Sequence, residues 1–499
     1  MEGKNAWYEH PLSEATVKVI PGTWVFRRKR SPSGEITKWK ARWVLRGDLQ
    51  EVNFDTYAAV VAWSSVRIFL VLSLLLGWTT KALDFDNAFI QAKLDHECFA
   101  YLPRGYHSMM ALRPGDKACL KLNKSVYGLR VAPKLWFEHL KRGLTELGFK
   151  SSSYDECFLY REGMLLVVFV DDCGLAVSDP SMIDWFVEEL TKRGFELHIE
   201  GDFTAFLGVA VERLPNGTIH LHQTGLIKKI IAAAKMEDCN PNWTPATLTA
   251  LGSDPEGKPF NNFPWKYSSI IGMLIYLSTN TRPDISFAVS QAARYSKSPR
   301  ESHASAVKTI IRYLKRTVDK GTIVKFSGSL DLIDYVDADF AGLFGKEAES
   351  NSDSARSRAG FIILLGGMPL FWKSSLMTAI CLSTLEAEYQ ALSLSMKHVI
   401  AFKNLIDELV TILKLDRLKT TVAAKVFEDN QGALYLATNQ RLTSRTKYFH
   451  VKWHHFWSYV QDGKITVEKV DTKLQAADYL TKGLPRELFE NCRKLVQGW

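Results

Sequence analysis

The segment MLLVVFVDDCGLAVS, Met164 to Ser178, restricts the possible folds of this chain more than any other. Two strongly β-prone runs flank Asp171 and Asp172, the pattern of a hairpin with apolar arms and a doubly acidic tip. An aspartate pair by itself is usually a turn feature. Here two adjacent like charges end an otherwise apolar hairpin, and such a pair needs cations or water close by. A second strand-end acid, Asp84 in ALDFDNAF, lies far away in sequence.

Around these motifs the periodicity alternates. Thr23–Arg30 and Lys38–Leu45 read as strands flanking a Ser31–Glu35 turn, and Val66–Gly77 as a buried helix. Ala132–Gly148 reads as a helix with Pro133 in its first turn and Gly148 just past its end. Ile183–Arg193 is helical, and Pro215–Gly217 marks a hairpin turn. The Pro/Gly/Asn-rich stretch Asp254–Pro264 and the stretch Gly321–Ser329 read as boundaries, with helical patterns between them through Lys315. Strands over Leu332–Val336 and Gly360–Leu365, a helix over Glu386–Leu413, a strand over Ala423–Glu428 and a helix from Asn430 then predict an α/β module. A length of 499 residues calls for several such units.

The net charge of +9 is concentrated near the N-terminus, where Arg27, Arg28, Lys29, Arg30, Lys38, Lys40, Arg42 and Arg46 crowd together. A basic strip of this kind suits a phosphate backbone, because each neutralised phosphate releases counterions. The seven cysteines are scattered, with no pair at C-x-x-C spacing, which argues against a disulfide scaffold or zinc ribbon and for an intracellular setting. No signal-peptide pattern opens the sequence. The longest apolar run, Val66–Trp78, is shorter than the roughly 20 residues that span a bilayer, so no membrane partner is expected.

Phosphoryl transfer to nucleic acid by two divalent ions about 3.5–4 Å apart needs carboxylates on adjoining strands. Asp84, Asp171 and Asp172 supply the hard oxygen ligands that Mg2+ prefers, and Mn2+ would accept the same set. One ion would activate a primer 3′-hydroxyl, and the other would bind the triphosphate. FVDD resembles the Y/F-V-D-D box of reverse transcriptases, and LDFDNAF resembles their first palm motif. KLNKSVYGLRVAPKLWF (Lys121–Phe137) is similar to the K-S-L-Y-G-L-K-Q-A-P-R-x-W segment of copia-type LTR retrotransposons. KARWVLRG (Lys40–Gly47), FLG (Phe206–Gly208), SIIGMLIYLSTNTRPDISFAVS (Ser269–Ser290) and RYLKRT (Arg312–Thr317) follow in the family's order. The resemblance implies that Asp84 and Asp171 are the principal metal ligands, with Asp172 supporting them. It implies that Phe89 is the steric gate beneath the sugar, and that Lys40 and Arg42 lie near the triphosphate. Tyr127, Gly128 and Arg130 would line the nucleotide pocket, and Phe206, Leu207 and Gly208 would form the primer grip. The chain departs from the family pattern at Asp48, Ala59 and Val131.

Four more carboxylates follow: Asp337 in DYVDADFAG, Glu388 in STLEAEYQAL, Asp429 in FEDNQGAL and Asp478 in LQAADYLTKGL. They resemble the D-E-D-D set of the ribonuclease H fold, in order, which implies a second two-metal site that cleaves RNA in a hybrid. By that likeness Glu388 is the ligand and Glu386 a solvated helix residue. SRTKYFHVKWHHFW (Ser444–Trp457) is similar to the family's T-K-H-I-D/E-x-R-Y-H-F, with Tyr448 and His450 off-pattern. Its basic and aromatic interleaving fits hybrid binding or a half-buried amphipathic element, and its three histidines lack a partner set for zinc.

The expectation is therefore an α+β multidomain chain. Residues 1–210 would form right-hand fingers and palm, 211–330 a thumb and connecting helices, and 331–490 an α/β RNase H-like domain. Its partners would be an RNA template, a DNA primer strand, an RNA–DNA hybrid and dNTPs, with two Mg2+ per active site. The setting would be a cytoplasmic virus-like particle or the nucleus. The sequence carries no D-S/T-G protease motif, integrase-type His/Cys cluster or Gag-type knuckle, so integrase, protease and Gag would be encoded elsewhere. Two alternatives stand beside this reading: a decayed remnant that binds nucleic acid without activity, and a DNA-templated polymerase.

Overall fold

The computed structural model describes residues 4–30, 36–51, 55–215, 217–324, 329–345, 351–414, 423–442 and 446–499. The expected Ser31–Glu35 turn, Asn216 of the expected Pro215–Gly217 turn, and Ser444 and Arg445 lie outside them. The chain packs as two compact units, Met1–Ser65 with Trp78–Asp202 and Val66–Gly77 with Phe203–Trp499. Among the described residues no helix is long and apolar enough to cross a membrane.

In the first unit a six-stranded sheet runs in the order Leu197–Asp202, Thr79–Phe85, Asp172–Val177, Met164–Phe169, Phe158–Arg161, Lys150–Ser151. Its central hairpin is buried on both faces, which is why MLLVVF is apolar without alternation. Helices Ala132–Glu146 and Ser181–Lys192 cover one face. Trp136, Leu140 and Leu144 recur at four-residue spacing, and Ile183, Phe186 and Leu190 at three and four, so each helix presents one apolar stripe to Leu166, Val168 and Leu175. Each such side chain contributes about 1.5–3 kcal/mol by leaving water. The unit also holds a small sheet from Trp7–Pro11 to Val19–Ile20 and the long Gly22–Arg30/Ile36–Leu45 ribbon, with Arg27 directly opposite Lys40.

The second unit contains a four-stranded antiparallel sheet, Ala205–Phe206, Val209–Arg213, Ile219–His222 and Thr322–Val324. Helices Thr224–Ala233, Tyr267–Asn280, Ser286–Ala293, Glu301–Arg316 and Arg486–Gln497 share an apolar core with Ile362, Leu364 and Trp372. Its five-stranded sheet has the order Met368–Leu376, Arg358–Leu365, Leu332–Asp339, Ala424–Glu428, Thr466–Lys469. The first three strands are antiparallel and the last two join in parallel. Parallel pairing needs crossovers, and helices Thr384–Ile412 and Gln431–Asn439 lie on those connections. The Asp254–Pro264 stretch, expected to be a boundary, is stitched to its neighbours instead. Phe260 donates its amide to Pro299, and Glu301 donates to Lys258.

Candidate active sites: two carboxylate clusters

Strand register carries the first cluster. Phe169 pairs with Asp172, so Val170 and Asp171 form the two-residue turn of the hairpin. Val170 adopts a φ of 57°, a left-handed conformation that a β-branched residue resists. The Trp136 indole donates to its carbonyl at 2.7 Å and holds the turn in place. Asp172 sits directly opposite Asp84, and Asp84 in turn opposite His198 on the edge strand. The Phe85 amide donates to the Asp171 carbonyl at 3.2 Å. Burial raises the Asp84 carboxyl above its ordinary pKa, and the charges of Asp171 and Glu200 add to the effect. One ligand atom from each of Asp84, His198 and Glu200 lies within 4.8 Å of the others. Sequence reasoning missed His198 and Glu200, because only the register of the Leu197–Asp202 strand and its irregularity between Ile199 and Gly201 bring them there.

Beside the turn, the Arg42 guanidinium lies 5.0 Å from the Tyr127 ring centroid, and Phe89 meets the same ring edge-on at 4.8 Å. Burial raises the Tyr127 hydroxyl pKa, and the charge of Asp171 acts in the same direction. These contacts link Arg42, Tyr127 and Phe89 to the acidic tip. A cleft of about 650 Å3 takes Trp24, Arg42, Asn87, Arg104, Tyr106 and Tyr127 into its wall. Lys40 precedes Arg42 by two residues on the same face of its strand. Arg130 is exposed and donates to the Asp48 carbonyl at 3.1 Å. Phe206, Leu207 and Gly208 belong to the second unit, where Leu207 and Gly208 adopt φ of 48° and 74° and the Leu207 carbonyl accepts from the Tyr276 hydroxyl.

Gly128 fixes how the Arg42 strand meets the Tyr127 loop. Its φ is +96°, and a Cβ there would fall 2.1 Å from the Leu45 carbonyl oxygen, while the Leu45 amide donates to Tyr127 at 2.8 Å. Gly128→Ala is expected to cost at least about 2–3 kcal/mol through a backbone clash and an unfavourable φ. A thermal melt indistinguishable from the parent's would remove this role from Gly128.

The second cluster gathers residues from separate elements of the five-stranded sheet and its helices. One oxygen from each of Asp337, Glu388 and Asp429 lies within 4.8 Å of the others. Asp478 joins them through Lys482, whose ammonium is 2.8 Å from Asp478 and 3.7 Å from Asp337. The Thr481 hydroxyl donates to Asp337. Gly360 pairs directly with Asp337, and a Cβ on it would lie 2.6 Å from Thr481 and 2.8 Å from Leu480. Its missing side chain lets the short Asp478–Thr481 helix press onto the sheet. Burial, then the neighbouring Glu428 and Asp337 charges, push Glu388 far above the ordinary carboxyl range. Asp478 rises to about 6, chiefly by burial and then by Asp337, and Asp429 is raised for the same two reasons.

Two residues here differ from expectation. Glu386 is buried, with its carboxylate accepting the Leu382 amide at 2.7 Å while Ser383 accepts the Glu386 amide. It fastens the residue ahead of the N-cap Ser383 and is not a solvated residue. Glu428 went unnoticed because it precedes Asp429 at a strand end. It is fully buried, and its Oε2, like that of Glu388, has no hydrogen-bond partner among the described residues. Orphaned buried oxygens among clustered carboxylates fit hard divalent cations, which also fit the acids of the first cluster. In the 446–457 segment Phe449, Trp453 and Phe456 are buried while Tyr448, Val451 and Lys452 are exposed. His454 Nδ1 lies 2.8 Å from the Tyr389 hydroxyl. The segment is therefore amphipathic and packs on the helix that carries Glu388.

Residues 8–248 match the family described as reverse transcriptase (RNA-dependent DNA polymerase). Over 98% of its length the chain is 32% identical to the retrovirus-related Pol polyprotein from transposon RE1 of Arabidopsis thaliana, covering 32% of that protein. It is 31% identical over 99% of its length to the counterpart from transposon RE2 of the same plant, covering 33% of it. With the Pol polyprotein from transposon TNT 1-94 of Nicotiana tabacum it shares 30% identity over 95% of its length and 35% of that protein. The chain thus spans about a third of the length of these relatives. Along nearly its whole length the chain is homologous to Pol polyproteins of copia-type transposons, and residues 8–248 carry the reverse transcriptase family domain.

Proposed function

We propose that the chain is an RNA-directed DNA polymerase joined to a ribonuclease H, copying transposon RNA into DNA and degrading the RNA of the resulting hybrid. The observation that carries the polymerase reading is the register that sets Asp172 opposite Asp84, with Asp171 at the adjoining turn. Residues 1–210 would be fingers and palm, 211–330 a thumb and connecting helices, and 331–490 the RNase H-like domain. The sheet order with three antiparallel strands followed by two parallel ones supports that last assignment. Asp84, Asp171 and Asp172 would hold Mg2+, as would Asp337, Glu388, Asp429 and Asp478. When bound, Mg2+ supplies charge stabilisation at phosphoryl oxygens and lowers the pKa of the attacking hydroxyl or water. Arg42 offers its guanidinium to the incoming triphosphate, and Phe89, backed by Tyr127, fills the space a ribose 2′-hydroxyl would need. In the second site Lys482 offsets the charge of Asp478 and Asp337. The RNA template, primer, hybrid and dNTPs are the partners of this reading, with integrase, protease and Gag as sister products, in a virus-like particle or the nucleus.

Primer extension on an RNA template with dNTPs and Mg2+ tests the polymerase. Synthesis that stops on chelation and prefers dNTPs over rNTPs is expected; no extension would leave the decayed remnant as the better account. For the nuclease, Asp429→Asn should reduce cleavage of RNA in a hybrid by about a hundredfold or more while extension persists. Loss of both activities together would argue against two independent centres.

A further inference from the structure

Apart from both carboxylate clusters, the antiparallel strands Val209–Arg213 and Ile219–His222 bring Glu212, His220 and His222 together. His220 is directly opposite Glu212, and His222 follows two residues later, so all three side chains stand on one face of the sheet. A ligand atom from each lies within 4.8 Å of the other two. His220 Nδ1 is 3.4 Å and His222 Nε2 3.8 Å from the same Glu212 oxygen. Charge-assisted hydrogen bonds would be shorter, at about 2.7–2.9 Å. Ligand atoms about 2.0–2.1 Å from a tetrahedral zinc ion sit roughly 3.3–3.4 Å apart, close to the spacing found here.

The surroundings favour ligation. His222 Nδ1 is 2.9 Å from the Thr224 hydroxyl. Donation from Nδ1–H to that oxygen leaves the Nε2 lone pair facing Glu212, the outer-shell arrangement that fixes the tautomer of a metal-binding histidine. The two imidazoles are mostly buried, with rings 4.7 Å apart, whereas Glu212 is exposed. His220 turns its Nδ1 to Glu212, while its buried Nε2 has no hydrogen-bond partner among the described residues.

We propose that Glu212, His220 and His222 form a binding site for a divalent transition metal of the zinc class, with its remaining position open to solvent beside Glu212. Two imidazoles and one carboxylate select Zn2+ or Co2+ over Mg2+, which prefers an all-oxygen shell. The site cross-links neighbouring strands, so metal binding stabilises the folded chain.

Zn2+ titration of the full chain, with metal analysis after equilibrium dialysis, tests the proposal. The parent is expected to hold one more Zn2+ per chain than His222→Asn, and Co2+ should give the parent a visible absorption band that the variant lacks. Glu212→Gln alters an exposed residue and keeps the fold, so it guards against a misfolded histidine variant. It should weaken Zn2+ binding by about tenfold or more, as should Thr224→Val. Equal Zn2+ stoichiometry and affinity in parent, His222→Asn and Glu212→Gln would overturn the site, as would a parent that binds no Zn2+ at micromolar concentrations. In the latter case the three residues are only a proton-shared pair with a neighbour.

Discussion

Asp171→Asn is expected to lower the rate of primer extension by about a thousandfold or more, a loss of roughly 4 kcal/mol of transition-state stabilisation. The substitution keeps shape and volume. Val170 keeps its left-handed φ, Trp136 still donates to the Val170 carbonyl, and Phe169 still pairs with Asp172. What changes is one negative charge beside Asp84 and Tyr127, and that charge is what a divalent ion needs. Binding of primer–template should persist, because the N-terminal basic residues proposed to meet the phosphate backbone are untouched. Removing the charge also relieves Asp84, whose pKa Asp171 helps to raise, so the variant should lose activity without losing stability. Single-turnover extension together with a gel-shift measurement separates these effects. Equal extension by variant and parent would take Asp171 out of the chemistry; lost binding would assign it to architecture.

Much of this site was legible in the sequence because local pattern and long-range geometry coincide there. The apolar MLLVVF and CGLAV arms specify a buried hairpin; the sequence sets Asp171 and Asp172 at its tip, whereas the register makes Val170–Asp171 the two-residue turn and Asp172 the first residue of the returning strand. Pro133 and Gly148 bracket a helix that runs Ala132–Glu146, close to the expected span. Contacts made by register between distant strands were not legible. Nothing in LHIEGD says that its strand docks beside Thr79–Phe85, so His198 and Glu200 stayed hidden next to Asp84. Burial of polar groups was equally hard to read. Glu386 and Glu388 are two residues apart on one helix, and both are buried for different reasons, one holding the Leu382 amide just ahead of the helix and the other beside Glu428. The strands Met368–Leu376 and Thr466–Lys469 escaped because their patterns are short or interrupted, and pairing with a neighbour makes them strands.

The largest expected effect on stability lies at the buried ion pair within the family segment TRPDI. Arg282 and Asp284 have no side-chain exposure and meet at 2.8 Å. Arg282 also donates to the Thr317 carbonyl and hydroxyl, and Asp284 accepts from Tyr313 at 2.6 Å and from Gln497 at 3.2 Å. Burial alone would raise the Asp284 carboxyl, yet Arg282 and Tyr313 hold it below its ordinary value. A folded pKa below the unfolded one means that the stabilisation is complete above about pH 4 and is lost as acid carries the pH through the lowered value. Asp284→Ala leaves the buried Arg282 guanidinium without its counter-charge and the Tyr313 hydroxyl without its acceptor. The cost is expected to be about 3–5 kcal/mol, lowering the melting midpoint by roughly 5–8 °C. Tyr313→Phe removes one hydrogen bond from the same carboxylate and should cost only about 1–3 kcal/mol. The order of the two variants is the decisive comparison in thermal or urea melts. If Tyr313→Phe, which keeps the ring against Arg282 and Phe489, proved as damaging as Asp284→Ala, the hydroxyl rather than the ion pair would hold the network.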